Sequence, residues 1–276
     1  MGRTKSYYDL RDALAAPGCP VCRVSNVAVE AFLDGLIYEK VNNPNLRQAM
    51  REARGFCARH AWGLVRHGAA LGSAIMMRDV LRTLQRTLTE ARYRSTPMFS
   101  LTRVQESVNP QQPRASTAEI VEALSPQSPC PVCADEAKVE AGLITSFVEN
   151  LTGKGGLLAL YRESTGFCLP HLRQVLSQVG DQAAFEALTE VQLGIWGRLE
   201  GELDEVIRKS DYRFTGEGVG VEGTAWLRAI ATTAGERFGE GTQRGNQESP
   251  SSTTTRGQEP LVDDLSMGED EAAAHD

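Results

Sequence analysis

Two short blocks, each present twice, constrain this chain more than anything else in it. Cys19-Pro-Val-Cys22 is followed after 34 residues by Cys57-Ala-Arg-His60, and Cys130-Pro-Val-Cys133 is followed after 34 residues by Cys168-Leu-Pro-His171. All eight positions shift by 111, as do Arg51-Glu52 against Arg162-Glu163 and the Gly-Phe pair before the third cysteine. All six cysteines of the chain belong to these blocks. A constant offset over so many positions marks an internal duplication of a unit of roughly 80 residues.

The spacing points to metal chemistry. Two thiolates two residues apart reach one ion from a single turn, and a Cys-x-x-His block supplies two more ligands, which completes the Cys₃His tetrahedron that zinc favours. The eight candidate ligands are therefore Cys19, Cys22, Cys57, His60, Cys130, Cys133, Cys168 and His171, enough for two ions. Grouping within each repeat is the simplest arrangement, because each half then closes its own loop; a mixed grouping across the halves stays open. The rival reading is redox chemistry, by reactive Cys-Pro-Val-Cys dithiols or by iron–sulfur clusters. Reactive dithiols give the histidines no reason to keep register with the cysteines, and a cluster held by three cysteines and a histidine is less usual than one held by four cysteines.

Local signals set the blocks on helices. The proline after the first cysteine suits a first helical turn. Cys57 and His60, three apart, share one helix face, and a thiolate beside a helix N-terminus is favoured by the dipole. Gly55 can end the preceding helix in a left-handed conformation.

The rest of the chain reads as helical, with no convincing strand alternation. Expected helices are Val24–Val41 with Val27, Ala31, Leu33, Leu36 and Ile37 inward, a short one capped by Asn43-Pro44, a short one after His60, and a long one from Leu71 to about Arg94. The long helix offers a stripe of Leu71, Ile75, Val80, Leu81, Leu84 and Leu88, with Arg78, Arg82 and Arg86 on a solvated face. The second half repeats this with Val139–Val148, Leu157–Arg162, Cys168–Val179 and Gln182 to about Lys209, whose stripe is Phe185, Leu188, Val191, Ile195, Leu199, Leu203 and Val206. The expected fold is all-α: two duplicated helical-bundle repeats, each stapled by a Cys₃His site, at residues 1–95 and 119–210. A polar linker at 96–118 joins them, an aromatic segment and short helix at 211–238 pack on the bundle, and the acidic Gly/Ser/Thr-rich tail at 239–276 is expected to be disordered.

Charge is distributed unevenly. The net charge is −7; residues 1–115 carry 17 basic and 9 acidic groups, whereas residues 116–238 carry 10 and 18. Opposite halves attract one another, and their sum of zero argues against nucleic-acid binding. No apolar run is long enough to span a membrane, and the charged N-terminus lacks the core of a secretory signal, so a cytoplasmic protein is expected.

Signs of catalysis are missing: there is no phosphate-binding Gly loop, no GxSxG and no HExxH. Four protein ligands leave a zinc no open position. Glu52 and Glu163 either orient the histidines or are exposed acids, and His67 is either a substitute ligand or a histidine at the core edge. The expected function is a zinc-binding, non-catalytic adaptor or regulatory module with a protein partner.

The doubled CPxC and GFCxxH blocks, with the Asp211-Tyr212-Arg213-Phe214 segment leading to Trp226, also resemble an uncharacterised family of prokaryotic proteins classed as a domain of unknown function. The resemblance covers roughly residues 5–237. It implies the same eight ligand positions and brings no activity; where members carry a serine before the tryptophan, this chain has Ala225.

Overall fold

A computed structural model describes residues 3–91, 117–214 and 216–238. The expected linker at 96–118, except Thr117 and Ala118, and the expected tail at 239–276 lie outside the described residues. Among the described residues eleven α-helices follow one another: α1 (Lys5–Leu14), α2 (Pro20–Tyr38), α3 (Pro44–Glu52), α4 (Ala58–Trp62), α5 (Ala70–Glu90), α6 (Thr117–Leu124), α7 (Pro131–Glu149), α8 (Leu158–Glu163), α9 (Leu169–Gln178), α10 (Gln182–Lys209) and α11 (Ala225–Ala234). There is no strand among the described residues. None of these helices is long and apolar enough to cross a membrane.

The duplication governs five helices per copy rather than the expected four. A shift of 111 carries α2 onto α7 end for end, and it lays α1, α3, α4 and α5 over α6, α8, α9 and α10. The helices at Lys5–Leu14 and Thr117–Leu124 were not expected from periodicity, because each is short and only one face of α1 is apolar: Tyr7, Leu10, Ala13 and Leu14 are buried.

Caps follow the local chemistry. Asn43 Oδ1 accepts from the Leu46 N–H at 3.0 Å at the start of α3, as Asn-Pro implies. Where α3 ends, both Arg54 (φ 56°) and Gly55 (φ 106°) are left-handed, and the Gly55 N–H closes back on Met50 O at 2.8 Å. That reversal points Cys57 into the next helix.

The halves interlock. α2 packs on α7, and α1 packs on both α7 and α8. One core, built mainly from α1, α7, α8, α9 and α10, takes in Val21 from the first copy; the other, built from α2, α3 and α5, takes in Val132 from the second. Both valines are fully buried. Each Cys-Pro-Val-Cys turn is thus sunk into the opposite half. In the first core Phe147, Tyr161 and Phe167 stack edge to face and tilted, with ring centroids 4.7 to 5.4 Å apart.

Two expected stripes are corrected by the packing. On α5 the buried residues are Gly72, Met76 and Val80, while Leu71, Leu81 and Leu88 are exposed. Gly72 is what allows α5 to approach α2: a Cβ there would lie 2.5 Å from the Ile37 carbonyl oxygen. On α2, Val27 and Ala31 face solvent, whereas Ser25, Asn26 and Val29 face the interior with Leu33, Leu36 and Ile37. Arg78, Arg82 and Arg86 are exposed, as expected. After α10 come two 3₁₀ turns, Tyr212–Phe214 and Val221–Thr224, which pack on α10 as α11 does, while the Tyr212 and Trp226 side chains are exposed.

Candidate metal centres

All eight candidate ligands converge into two clusters, and the clusters are crossed. Cys19 and Cys22 of the first copy meet Cys168 and His171 of the second; Cys57 and His60 meet Cys130 and Cys133. Grouping within each repeat, the simplest expectation, is therefore not the one the fold makes. The reason is the length of the path between the blocks. From Cys22 the chain runs about 24 Å along the rest of α2, and α3, only about 13 Å long, packs on α5 and α7. Cys57 and His60 consequently fall short of Cys22 and stop beside Asn26, which accepts a 3.0 Å hydrogen bond from Arg59. There they meet the start of α7.

In the first centre, His171 Nδ1 lies 3.4 Å from Cys19 Sγ, 3.3 Å from Cys22 Sγ and 3.1 Å from Cys168 Sγ, and the Cys22 and Cys168 sulfurs are 3.7 Å apart. In the second, His60 Nδ1 lies 3.3 Å from Cys57 Sγ, 3.7 Å from Cys130 Sγ and 3.3 Å from Cys133 Sγ, with Cys57 and Cys133 at 3.6 Å. Bonds of about 2.3 Å to sulfur and about 2.0 Å to nitrogen give a zinc tetrahedron edges of about 3.8 Å and about 3.5 Å. Both clusters have those dimensions. All six cysteines are free thiols.

Helix ends converge on the sulfurs. Cys19, Cys57, Cys130 and Cys168 are the N-cap residues of α2, α4, α7 and α9, so each cluster sits at two helix N-termini. Their partial positive charge favours thiolate. At the second cluster burial, and then neighbouring Cys57 and Cys130, push the Cys133 thiol up to about 12, and a bound cation would displace its proton. His60 is drawn down to about 4 by burial and by Arg59. At His171 burial also lowers the pKa, but Cys168, Cys19, Cys22 and Glu140 outweigh it and the net shift is upward. The two rings part company only over the proton; their geometry is shared, and a metal would bind either through a deprotonated Nδ1.

The acids beside the histidines are not those the repeat suggested. Glu140 Oε1 takes the N–H of His171 Nε2 at 3.1 Å, whereas Glu136 lies 3.5 Å from His60 Nε2, which has no hydrogen-bond partner, and pairs with Arg59 at 2.8 Å. Both belong to α7. Their counterparts on α2 are Ser25 and Val29, so the duplication cannot reveal them. The usable signal was helical register, since Cys133, Glu136 and Glu140 lie three and seven apart on one face. Glu52 and Glu163 are exposed, and Glu52 accepts from Gln48 at 2.7 Å. His67 is also exposed and joins neither cluster, because α4 ends at Trp62 before it can share a face with His60.

The centres differ in access. Cys19, Cys22 and Cys168 are buried; Cys57, Cys130 and Cys133 are partly exposed.

No solved structure matches this chain. It is 24% identical over 222 residues to an uncharacterised 23.9 kDa protein from the xynA 3′ region of Caldicellulosiruptor sp. (strain Rt8B.4), covering 79% of this chain and 95% of that protein. A family of unknown function (DUF6062) matches residues 7–239, and the chain belongs to that family.

Proposed function

We propose that each cluster binds one zinc ion and that the pair of ions locks the two copies into one body. The observation that carries this is the crossing. Each centre takes two ligands from either half, so neither half can complete a site alone. A closed four-ligand shell with no place for water makes the ions structural. The protein is then a non-catalytic, metal-stapled scaffold for adaptor or regulatory work with a protein partner, in a reducing compartment that keeps its thiols unoxidised. An iron–sulfur cluster suits the sites less well: ligand atoms all within 4.8 Å of one another surround a single ion more naturally than a cage of several.

Elemental analysis and a visible spectrum of protein purified without air test the reading. The expected result is near two zinc per chain, no visible bands and loss of helical signal on chelation. Metal-free protein that keeps its fold after all six cysteines become serine overturns it.

A further inference from the structure

The four residues after α11 run across both centres. Gly235 has φ 89° and ψ 167°, a region essentially closed to residues with a Cβ. Its backbone lies on the first centre: a Cβ there would sit 3.8 Å from Cys22 Sγ and 3.9 Å from Cys168 Sγ. Glu236 Oε1 accepts from the Cys19 N–H at 3.3 Å. The Arg237 carbonyl accepts from Asn26 Nδ2 at 3.5 Å, one turn up α2. Phe238 ends the crossing edge-on to the His60 ring, centroids 5.8 Å apart, with the Arg59 guanidinium 5.3 Å from its own centroid. Its seat is shaped for it, since a Cβ on Gly63 would come within 2.8 Å of the ring.

From this we infer that Gly235–Phe238 is a strap that covers the first sulfur cluster and the His60 ring of the second, so that lifting it at either end opens both centres further to metal exchange and to thiol reagents. Glu236 and Arg237 hold it by hydrogen bonds and Phe238 packs against the edge of the second core, whereas the bundle beneath rests on two buried cores. A four-residue segment of this kind opens locally at lower cost than the fold as a whole. Arg59 and Asn26 make the coupling local to this side of the molecule: their counterparts in the second copy are Pro170 and Ala137, which can repeat neither contact.

The inference rests on the metal reading for zinc exchange but not for thiol access, and the test separates the two. Zinc-loaded full-length protein is mixed with excess chromophoric chelator, and in parallel its cysteines are alkylated with iodoacetamide and mapped by mass spectrometry. Phe238→Ala touches only the His60 end, and Gly235→Ala only the Cys22/Cys168 end, where there is room for the methyl group. Each is expected to speed zinc release and alkylation at both centres by about tenfold. Circular dichroism reports that the bundle survives, and exposed Leu193→Ala is the control. Acceleration confined to the nearer centre, or none, overturns the strap. A wild-type chain that loads no zinc overturns the metal reading instead, and alkylation of Cys22, Cys57 and Cys168 in the same variants still decides the strap.

Discussion

Replacing Glu140 with alanine removes the acceptor that fixes the His171 ring, and the structure says which centre suffers. The carboxylate takes the Nε2–H at 3.1 Å and leaves Nδ1 pointed at Cys19, Cys22 and Cys168. Losing such an outer partner typically weakens metal binding about 10- to 100-fold, or about 1.4 to 2.7 kcal/mol. Glu140 lies close enough to His171 for the full range to apply. Glu136 stands further from His60, at 3.5 Å, and shares its charge with Arg59, so Glu136→Ala belongs at the lower end. Glu140→Gln keeps a carbonyl acceptor but loses the charge, and falls between wild type and alanine. Competition titration against a zinc chelator, with cysteine alkylation to assign each loss to a centre, measures all of these. Glu52→Ala and Glu163→Ala serve as controls and should stay within about twofold, since both side chains are exposed and orient neither histidine. If Glu140→Ala leaves binding at the Cys168 centre unchanged, or weakens the Cys57 centre instead, the reasoning from ring orientation fails.

Other consequences follow from the packing and the ion pairs. Phe147 is fully buried against Tyr161 and Phe167, so Phe147→Ala should cost about 3–5 kcal/mol. At about 2–4 °C per kcal/mol for a chain of this size, calorimetry should show a melting point lower by roughly 6–20 °C, and an unchanged one would contradict the core described. Glu222 accepts from Lys209 at 2.7 Å, and that contact with the Gly220 N–H holds its carboxyl at about 2, below the ordinary 4.5. A lowered carboxyl adds stability that is complete above its unfolded value and is lost as pH falls through its folded value. Denaturant melts should therefore show Glu222→Gln less stable than wild type near neutrality, with the gap narrowing below pH 4.5 and closing near pH 2. A gap that widens in acid would reverse the sign.

How much of this was legible in the sequence depended on what each feature requires. The ligands were plain because metal geometry fixes residue types and short spacings, which a duplication then printed twice. The start of α3 was plain for a similar reason, since Asn43-Pro44 acts within one turn, whereas the starts expected at Val24 and Val139 fall four and eight residues inside α2 and α7, which begin at Pro20 and Pro131. Which ligands belong together was not plain, since that depends on where the path through α2 and α3 leaves Cys57 and His60, and spacing along a chain carries no direction in space. Glu136 and Glu140 were not legible from the repeat, because these two break it. Of the expected α5 stripe only Val80 is buried, because a glycine and a methionine, Gly72 and Met76, complete the inward face. The exposed Leu71, Leu81 and Leu88 show that an apolar residue on a helix need not face the core.

Crossed ligation also changes what the ancestral unit could have been. A single copy offers two half-sites and closes neither, so it would have needed a second copy of itself to hold an ion. The chain keeps that arrangement within one molecule, each half lending its Cys-Pro-Val-Cys turn to the other.

The most direct test removes one turn and asks which sulfur is orphaned. In Cys19→Ser/Cys22→Ser protein, native mass spectrometry should find a single zinc, and alkylation should label Cys168 rapidly while Cys57, Cys130 and Cys133 stay protected. Rapid labelling of Cys57 with Cys168 protected would mean that each repeat holds its own ion, and the crossed account would be wrong.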